Sequence, residues 1–121
     1  MSQIVFNEIS AAELSALPTL EQLALLDEFK VTPDLLEQPD GERFGSIQRD
    51  GNTLYRFRAG EYRIYFALAP GQVVVHRVLH ANTFADFLFR SKLPLSEDEA
   101  LAANPHFWKL IAEGQGARKL P

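Results

Sequence analysis

From Leu54 to Phe66 the chain reads Leu-Tyr-Arg-Phe-Arg-Ala-Gly-Glu-Tyr-Arg-Ile-Tyr-Phe. Polar and apolar residues alternate, the pattern breaks at Ala59-Gly60-Glu61, and alternation resumes, which is the pattern of a half-buried β-hairpin. Successive strand side chains point to opposite faces of a sheet. Arg56 and Arg58 therefore share one face, and Tyr55 and Phe57 the other. On the return strand Tyr62, Ile64 and Phe66 form the apolar set, with Arg63 and Tyr65 opposite. If both apolar sets point into one core, Arg56, Arg58, Arg63 and Tyr65 gather on an exposed face. Planar guanidinium forks bind phosphate oxygens bidentately, so such a face suits a phosphate-bearing partner.

The flanking segments supply a scaffold for this hairpin. Gln3 to Ile9 reads as a short strand. Ser10 and Glu13 have the spacing of a capping box for a first helix; Thr19 and Gln22, just after Leu17-Pro18, have it for a second. Within that second helix Leu20, Leu23, Leu26 and Phe29 recur at near-helical spacing, a stripe read as core-facing in preference to a partner-binding groove. Thr32-Pro33 opens a short helical turn that Pro39-Asp40-Gly41 ends. Phe44 to Arg49 reads as a further strand, turned by the type I′ dipeptide Asp50-Gly51. After Pro70-Gly71, Val73 to Leu79 is a strand whose valine run predicts burial on both faces. Thr83 and Asp86 have capping spacing for a helix that Pro94 stops. Ser96-Glu97-Asp98-Glu99 starts another, with acids favoured in its first turn. Asn104-Pro105 begins a last helix, apolar at Phe107, Trp108, Leu110 and Ile111, with Gly114 as its stop. Gly114-Gln115-Gly116 reads as a flexible tail. Helices and strands come in runs, which predicts an α+β domain over residues 1–121: an antiparallel sheet of about four strands, N-terminal helices on one face, and residues 95–121 as a helical extension.

Charge sharpens the picture of the hairpin face. The 121 residues carry a net charge of -4, yet residues 1–42 hold nine acids against the single base Lys30, and residues 43–92 hold eight bases against three acids. Screening over about 8 Å at physiological salt keeps the basic face from being cancelled by acids on the far side of a domain of about 13 Å radius of gyration. With no cysteine there is no disulfide. No apolar run approaches the roughly 20 residues of a membrane helix, and the N-terminal residues lack a signal-like pattern, so the expected location is the cytoplasm, away from membranes. No His or acid spacing suggests a metal site, and no cofactor motif is present.

The hairpin, together with the valine strand through Arg77-Val78-x-His80, resembles the RelE/ParE superfamily of bacterial toxins from type II toxin-antitoxin systems. The resemblance extends over about residues 3–90. It implies a RelE-like α+β fold with a concave sheet face and a cognate antitoxin as partner. For the RelE branch it also implies messenger RNA cleavage on the ribosome, and hence translation inhibition. The family's basic strand residues fall on Arg56, Arg58 and Arg63, and its histidine slot falls on His80. Where RelE-type toxins often carry an arginine after that slot this chain has Ala81-Asn82, and where many end on a catalytic tyrosine it has Phe84 or Phe87.

Metal-free RNA cleavage by the neighbouring 2′-hydroxyl needs a base, a stabiliser of phosphorane charge and an acid. Arginine suits only the second role, because it stays charged. The expected catalytic set is thus Arg58 and Arg63 for charge, His80 for proton transfer, and Tyr65 as its partner if a neighbouring arginine lowers its pKa. Arg56, Arg77, Arg90 and Lys92 complete an RNA-binding set. His76 is expected on the same strand face as His80. Two other readings stand beside this one. The first is a non-enzymatic binder, either a ParE-like gyrase inhibitor or a toxin fold kept for antitoxin binding. The second is an arginine face paired with acids from the C-terminal extension, with Phe107 and Trp108 lying over it.

Overall fold

The computed structural model describes residues 3–37, 41–84 and 94–121. Five strands form one sheet: β1 (Gln3–Phe6), β2 (Phe44–Arg49), β3 (Asn52–Ala59), β4 (Tyr62–Ala69) and β5 (Gln72–His80), in the spatial order β1-β5-β4-β3-β2. Four consecutive strands pair antiparallel, and β1 joins β5 in parallel. The sheet is therefore mixed and one strand larger than the pattern predicts. β1 lies within the segment where the sequence predicts a strand, though it gives way to helix at Glu8; its parallel pairing with β5, across three helices and three strands, leaves no hairpin signature in the sequence. At the β2–β3 turn Asp50 and Gly51 both have positive φ, 52° and 79°, as a type I′ turn requires.

Three helices, α1 (Glu8–Ser15), α2 (Thr19–Glu28) and α3 (Pro33–Glu37), precede β2. The cap of α1 is Asn7, whose side chain accepts from the Ile9 and Ser10 amides while the Ser10 hydroxyl accepts from the Asn7 amide. Ser10 is thus the reciprocal partner in the capping box and not its first residue. Pro18 precedes α2 with no side-chain cap; the Gln22 amide instead donates back to the Leu17 carbonyl at 2.7 Å. Leu25 and Phe29, with Leu17, seat this layer on Phe44, Phe57, Ile64, Phe66, Val73, Val75 and Val78 in the first core. The predicted stripe is divided: Phe29 is buried, but Leu20, Leu23 and Leu26 face solvent.

The other face of the sheet is also covered. After the 3-10 turn Ala81–Phe84 and the segment outside the described residues, α4 (Pro94–Ala102) and α5 (Pro105–Gly116) pack across it. Leu101, Phe107 and Ile111 join Ile47, Leu54, Tyr65 and Leu79 in a second core. Residues 94–121 therefore form a third layer. The predicted stop at Gly114 does not occur, and the expected flexible tail is helical to Gly116. Gly114 is buried because α5 crosses β5 there: a Cβ would run into the His76 carbonyl and the Arg77 side chain. The segment after α5 then returns to the start of the chain, where the Leu120 amide donates to Phe6 O at 2.8 Å and the Glu8 amide to Arg118 O at 2.8 Å.

Between Tyr65 and Phe66 the pairing of β4 on β5 slips, so that Arg77 opposes Tyr65 while Val75 opposes Phe66. His76 is the extra residue of this bulge, and such an insertion inverts the in-out alternation beyond it. Val73, Val75 and Val78 all reach the first core, and Leu79 reaches the second.

Candidate anion-binding face

On β3 and β4 the alternation holds, and it brings Arg56, Arg58, Arg63 and Tyr65 to one face as expected. Arg58 and Arg63 are directly opposed across the two strands. Two like charges at that spacing repel. α4 resolves the conflict by setting Glu97 between them, with Asp98 beside it on Arg56.

Arg56 is completely buried. Its Nε donates to Asp98 Oδ1 at 3.0 Å and its Nη2 to Asp98 Oδ2 at 3.1 Å, while the remaining N–H groups reach the carbonyls of Gly41, Glu42 and Arg43 at 2.9, 2.8 and 3.2 Å. All five donors are thereby used. The guanidinium passes over Gly45 of β2, where any Cβ would meet it. Glu97 sits between the other two arginines. Its Oε2 accepts from Arg58 Nη2 at 2.6 Å and from Arg63 Nε at 3.0 Å, and its Oε1 accepts from Arg63 Nη2 at 3.3 Å. Arg63 Nη1 is held by the Gly60 and Tyr62 carbonyls. Three guanidinium groups face two carboxylates, which leaves one positive charge over. Arg58 Nε finds no acceptor among the described residues.

Burial drives the electrostatics of this cluster. It pushes the Asp98 carboxyl above its ordinary pKa against the pull of Arg56, and it lowers that of Arg58 against the pull of Glu97. Tyr65 lies at the bottom, fully buried, its ring edge-on to Phe107 at 5.0 Å. Burial raises its hydroxyl well above the usual phenol value, reinforced by Glu97 and Asp98 and opposed by Arg56 and Arg63. The shift is opposite to the one that makes a phenol a base, so in this arrangement Tyr65 stays protonated.

The remaining residues of the expected set are elsewhere. His80 opposes Tyr62 across the strands and meets its ring edge-on at 5.0 Å, on the first-core face of the sheet. Its Nδ1 accepts from the Asn82 amide at 3.0 Å. The bulge puts His76 on the opposite face, where it lines a cavity together with Trp108 and Gln115 of α5, so the two histidines do not share a side. Arg77 is on the arginine side but is engaged as a strut: its guanidinium donates to Glu13 at 2.7 and 3.1 Å and to the Leu110 carbonyl at 2.9 Å, joining α1, β5 and α5. Arg90, Lys92 and Phe87 lie outside the described residues. Glu97 and Asp98 are the members of the cluster that the helix-start reading underweighted. Their signal was two adjacent acids in the extension of a chain whose middle segment has five excess positive charges.

Fold and site together define a three-layer α/β/α protein in which an arginine-bearing sheet face is closed by two carboxylates from its own later helix α4. No protein-family model matches the chain, and no curated protein does. Among solved structures it is similar to a chain of the RelBE2 toxin-antitoxin complex of Mycobacterium tuberculosis, at 23% identity over 65% of this chain and 96% of that one, with a TM-score of 0.49.

Proposed function

We propose that this chain is the toxin-type member of a toxin-antitoxin pair of the RelE/ParE kind, with its arginine face held latent by α4. The observation that carries this reading is the pairing itself. Arg56 and Arg63 each hold a carboxylate edge through two N–H groups, in the way a guanidinium fork holds phosphate, and Arg58 adds a single contact to Glu97. Glu97 and Asp98 act as internal stand-ins for phosphodiester oxygens, and the excess positive charge and the spare Arg58 N–H favour an incoming anion once α4 moves away. In the RelE form of the proposal the anion is messenger RNA on the ribosome, in the cytoplasm, and the outcome is metal-independent cleavage that stops translation. A cognate antitoxin is the expected protein partner.

A second reading, the non-enzymatic binder of the ParE type, is favoured by two features. His80 is on the other side of the sheet from the arginines, and Tyr65 is buried with a raised pKa.

The test is induction in a bacterial host of the intact chain, of Glu97→Gln, and of Glu97→Gln combined with Arg63→Ala, with mapping of new RNA 5′ ends. New cuts inside translated messages with Glu97→Gln that vanish in the double variant support the nuclease form. Growth arrest without cuts, with loss of DNA supercoiling, transfers the proposal to the binder. Normal growth with folded Glu97→Gln protein refutes a latent toxin.

A further inference from the structure

β3 and β4 pair only from Ala59 opposite Tyr62 to Tyr55 opposite Phe66, although β3 begins at Asn52 and β4 continues to Ala69. Beyond that point each strand stays with its outer neighbour, β3 with β2 and β4 with β5, so the sheet forks. The bulge at His76 lies at the same level, and the extra twist that a bulge adds turns the end of β4 away from β3. Backbone N–H and C=O groups point to alternate sides along a strand. The Arg58 amide donates to the Arg43 carbonyl at 2.7 Å, on the β2 side, so Tyr55 and Thr53 turn their groups toward β4. On β4 the same parity joins Phe66 to Leu68. Thr53 and Leu68 are thus the residues whose backbone groups face into the fork beyond the end of the ladder.

A cavity of about 580 Å³ opens from the fork toward α5, a size usual for small-molecule sites. Its α5 wall is Trp108, Ala112 and Gln115, whose spacing puts them on one side of the helix. Trp108 Nε1 donates to Ala102 O at 2.8 Å, which holds the indole, and the Arg49 guanidinium lies 4.6 Å from the ring centre. His76, 8% exposed, also lines the cavity. Burial, and Lys119 to a lesser extent, lower its pKa, so at neutral pH the imidazole is uncharged, with one nitrogen a donor and the other an acceptor. Arg49 and Asp50, 3.7 Å apart, are the two charged residues of the lining and offset each other.

We infer that this fork binds a flat, uncharged nitrogen heterocycle with adjacent N–H and C=O groups, the lactam or imide edge of a hypoxanthine or uracil ring. A strand residue with both backbone groups turned outward presents a donor and an acceptor side by side, and that edge answers both. Trp108 supplies an aromatic wall for the ring. An inserted peptide strand would need several such residues in a row, and each arm of the fork offers one before β3 begins at the Asp50-Gly51 turn. An anion would meet Asp50 as well as Arg49. A purely apolar ligand would leave the polar groups of Thr53, Leu68, His76 and Gln115 without partners. Thr53 is five residues from Arg58 along β3, about 17 Å at about 3.3 Å per residue, so occupancy of the fork is independent of whether the arginine face acts on RNA.

The experiment titrates the intact, isotopically labelled chain with uridine and with inosine to about 10 mM, enough to fill a site with a Kd of about 1 mM. The amides of Thr53 and Leu68 and the indole N–H of Trp108, the one tryptophan of the chain, should shift together and saturate. N3-methyluridine and N1-methylinosine, which lack the N–H, should bind about tenfold more weakly. Ala112→Leu fills the α5 wall from an exposed position and should weaken binding by about tenfold or more at unchanged melting temperature. An oligouridylate of about eight residues separates the two sources of such a ring: tighter binding than uridine assigns the fork to a base of a single strand, equal binding to a free nucleoside. Equal binding of the methylated nucleosides, indifference to Ala112→Leu, shifts confined to the arginine cluster, or no response to either nucleoside would each overturn the assignment.

Discussion

Replacing Asp98 by Asn tests the closed arginine face most directly. Arg56 has no exposed surface, and the Asp98 carboxylate is its only anionic partner among the described residues, met by Nε at 3.0 Å and Nη2 at 3.1 Å. Two unit charges about 4 Å apart attract by about 4 kcal/mol at an effective dielectric of about 20. The amide keeps one acceptor but turns an NH2 toward one of the two donors, so a hydrogen bond is lost together with the charge. Removing one partner of a buried pair costs about 3–5 kcal/mol, because the other charge stays desolvated. For 121 residues the unfolding entropy is about 0.25 kcal/mol per kelvin, which makes this a fall of about 12–20 °C in melting temperature. Thermal unfolding followed by circular dichroism measures it. A companion pair, Arg56→Met with Asp98→Leu, removes both charges at similar volume and should recover most of the loss. A fall below about 4 °C for Asp98→Asn would refute the claim that this ion pair is buried and closes the sheet face.

Three further outcomes follow from the same contacts. Gly114→Ala should destabilise by about 1–3 kcal/mol in a urea titration, despite the better helix propensity of alanine, because the new methyl meets the His76 carbonyl at the α5–β5 crossing. Asn7→Asp keeps the cap acceptor of α1 but cannot donate to the Val75, His76 and Gly114 carbonyls, which Asn7 Nδ2 reaches at 3.1, 3.0 and 2.9 Å; about 2–3 kcal/mol should be lost in the same titration. Burial, and Lys119 to a lesser extent, lower the pKa of His76 from 6.5. Since the folded form binds fewer protons, this residue's contribution is full above about pH 6.5 and is lost as pH falls through the lowered value. Urea midpoints at neutral and acid pH should therefore differ less in His76→Gln than in the parent chain.

The hairpin, its faces and the Asp50-Gly51 turn were legible because alternation and φ > 0 chemistry are local properties, and they alone put three arginines and Tyr65 together. The two histidines were misjudged for a reason equally local but silent: one extra residue at His76 inverts parity, and nothing in Val75-His76-Arg77-Val78 announces a bulge. In α2 the run Leu20-Glu-Gln-Leu-Ala-Leu-Leu is apolar on more than one side, so helical periodicity did not decide between Leu25 and the Leu20, Leu23, Leu26 row as the buried set. The closure of the arginine face was legible only as one alternative. A salt bridge between β3 and α4 joins residues about 40 positions apart, and sequence spacing carries no information at that range.

That separation also has a meaning in time. The chain is made from its N-terminus, at about 5–20 residues per second, so Glu97 and Asp98 emerge seconds after Arg56, Arg58 and Arg63. A sheet that assembles in that interval carries its guanidinium groups without their carboxylates. The order of synthesis thus makes the closing of the arginine face a late step, taken only once α4 has followed the sheet out.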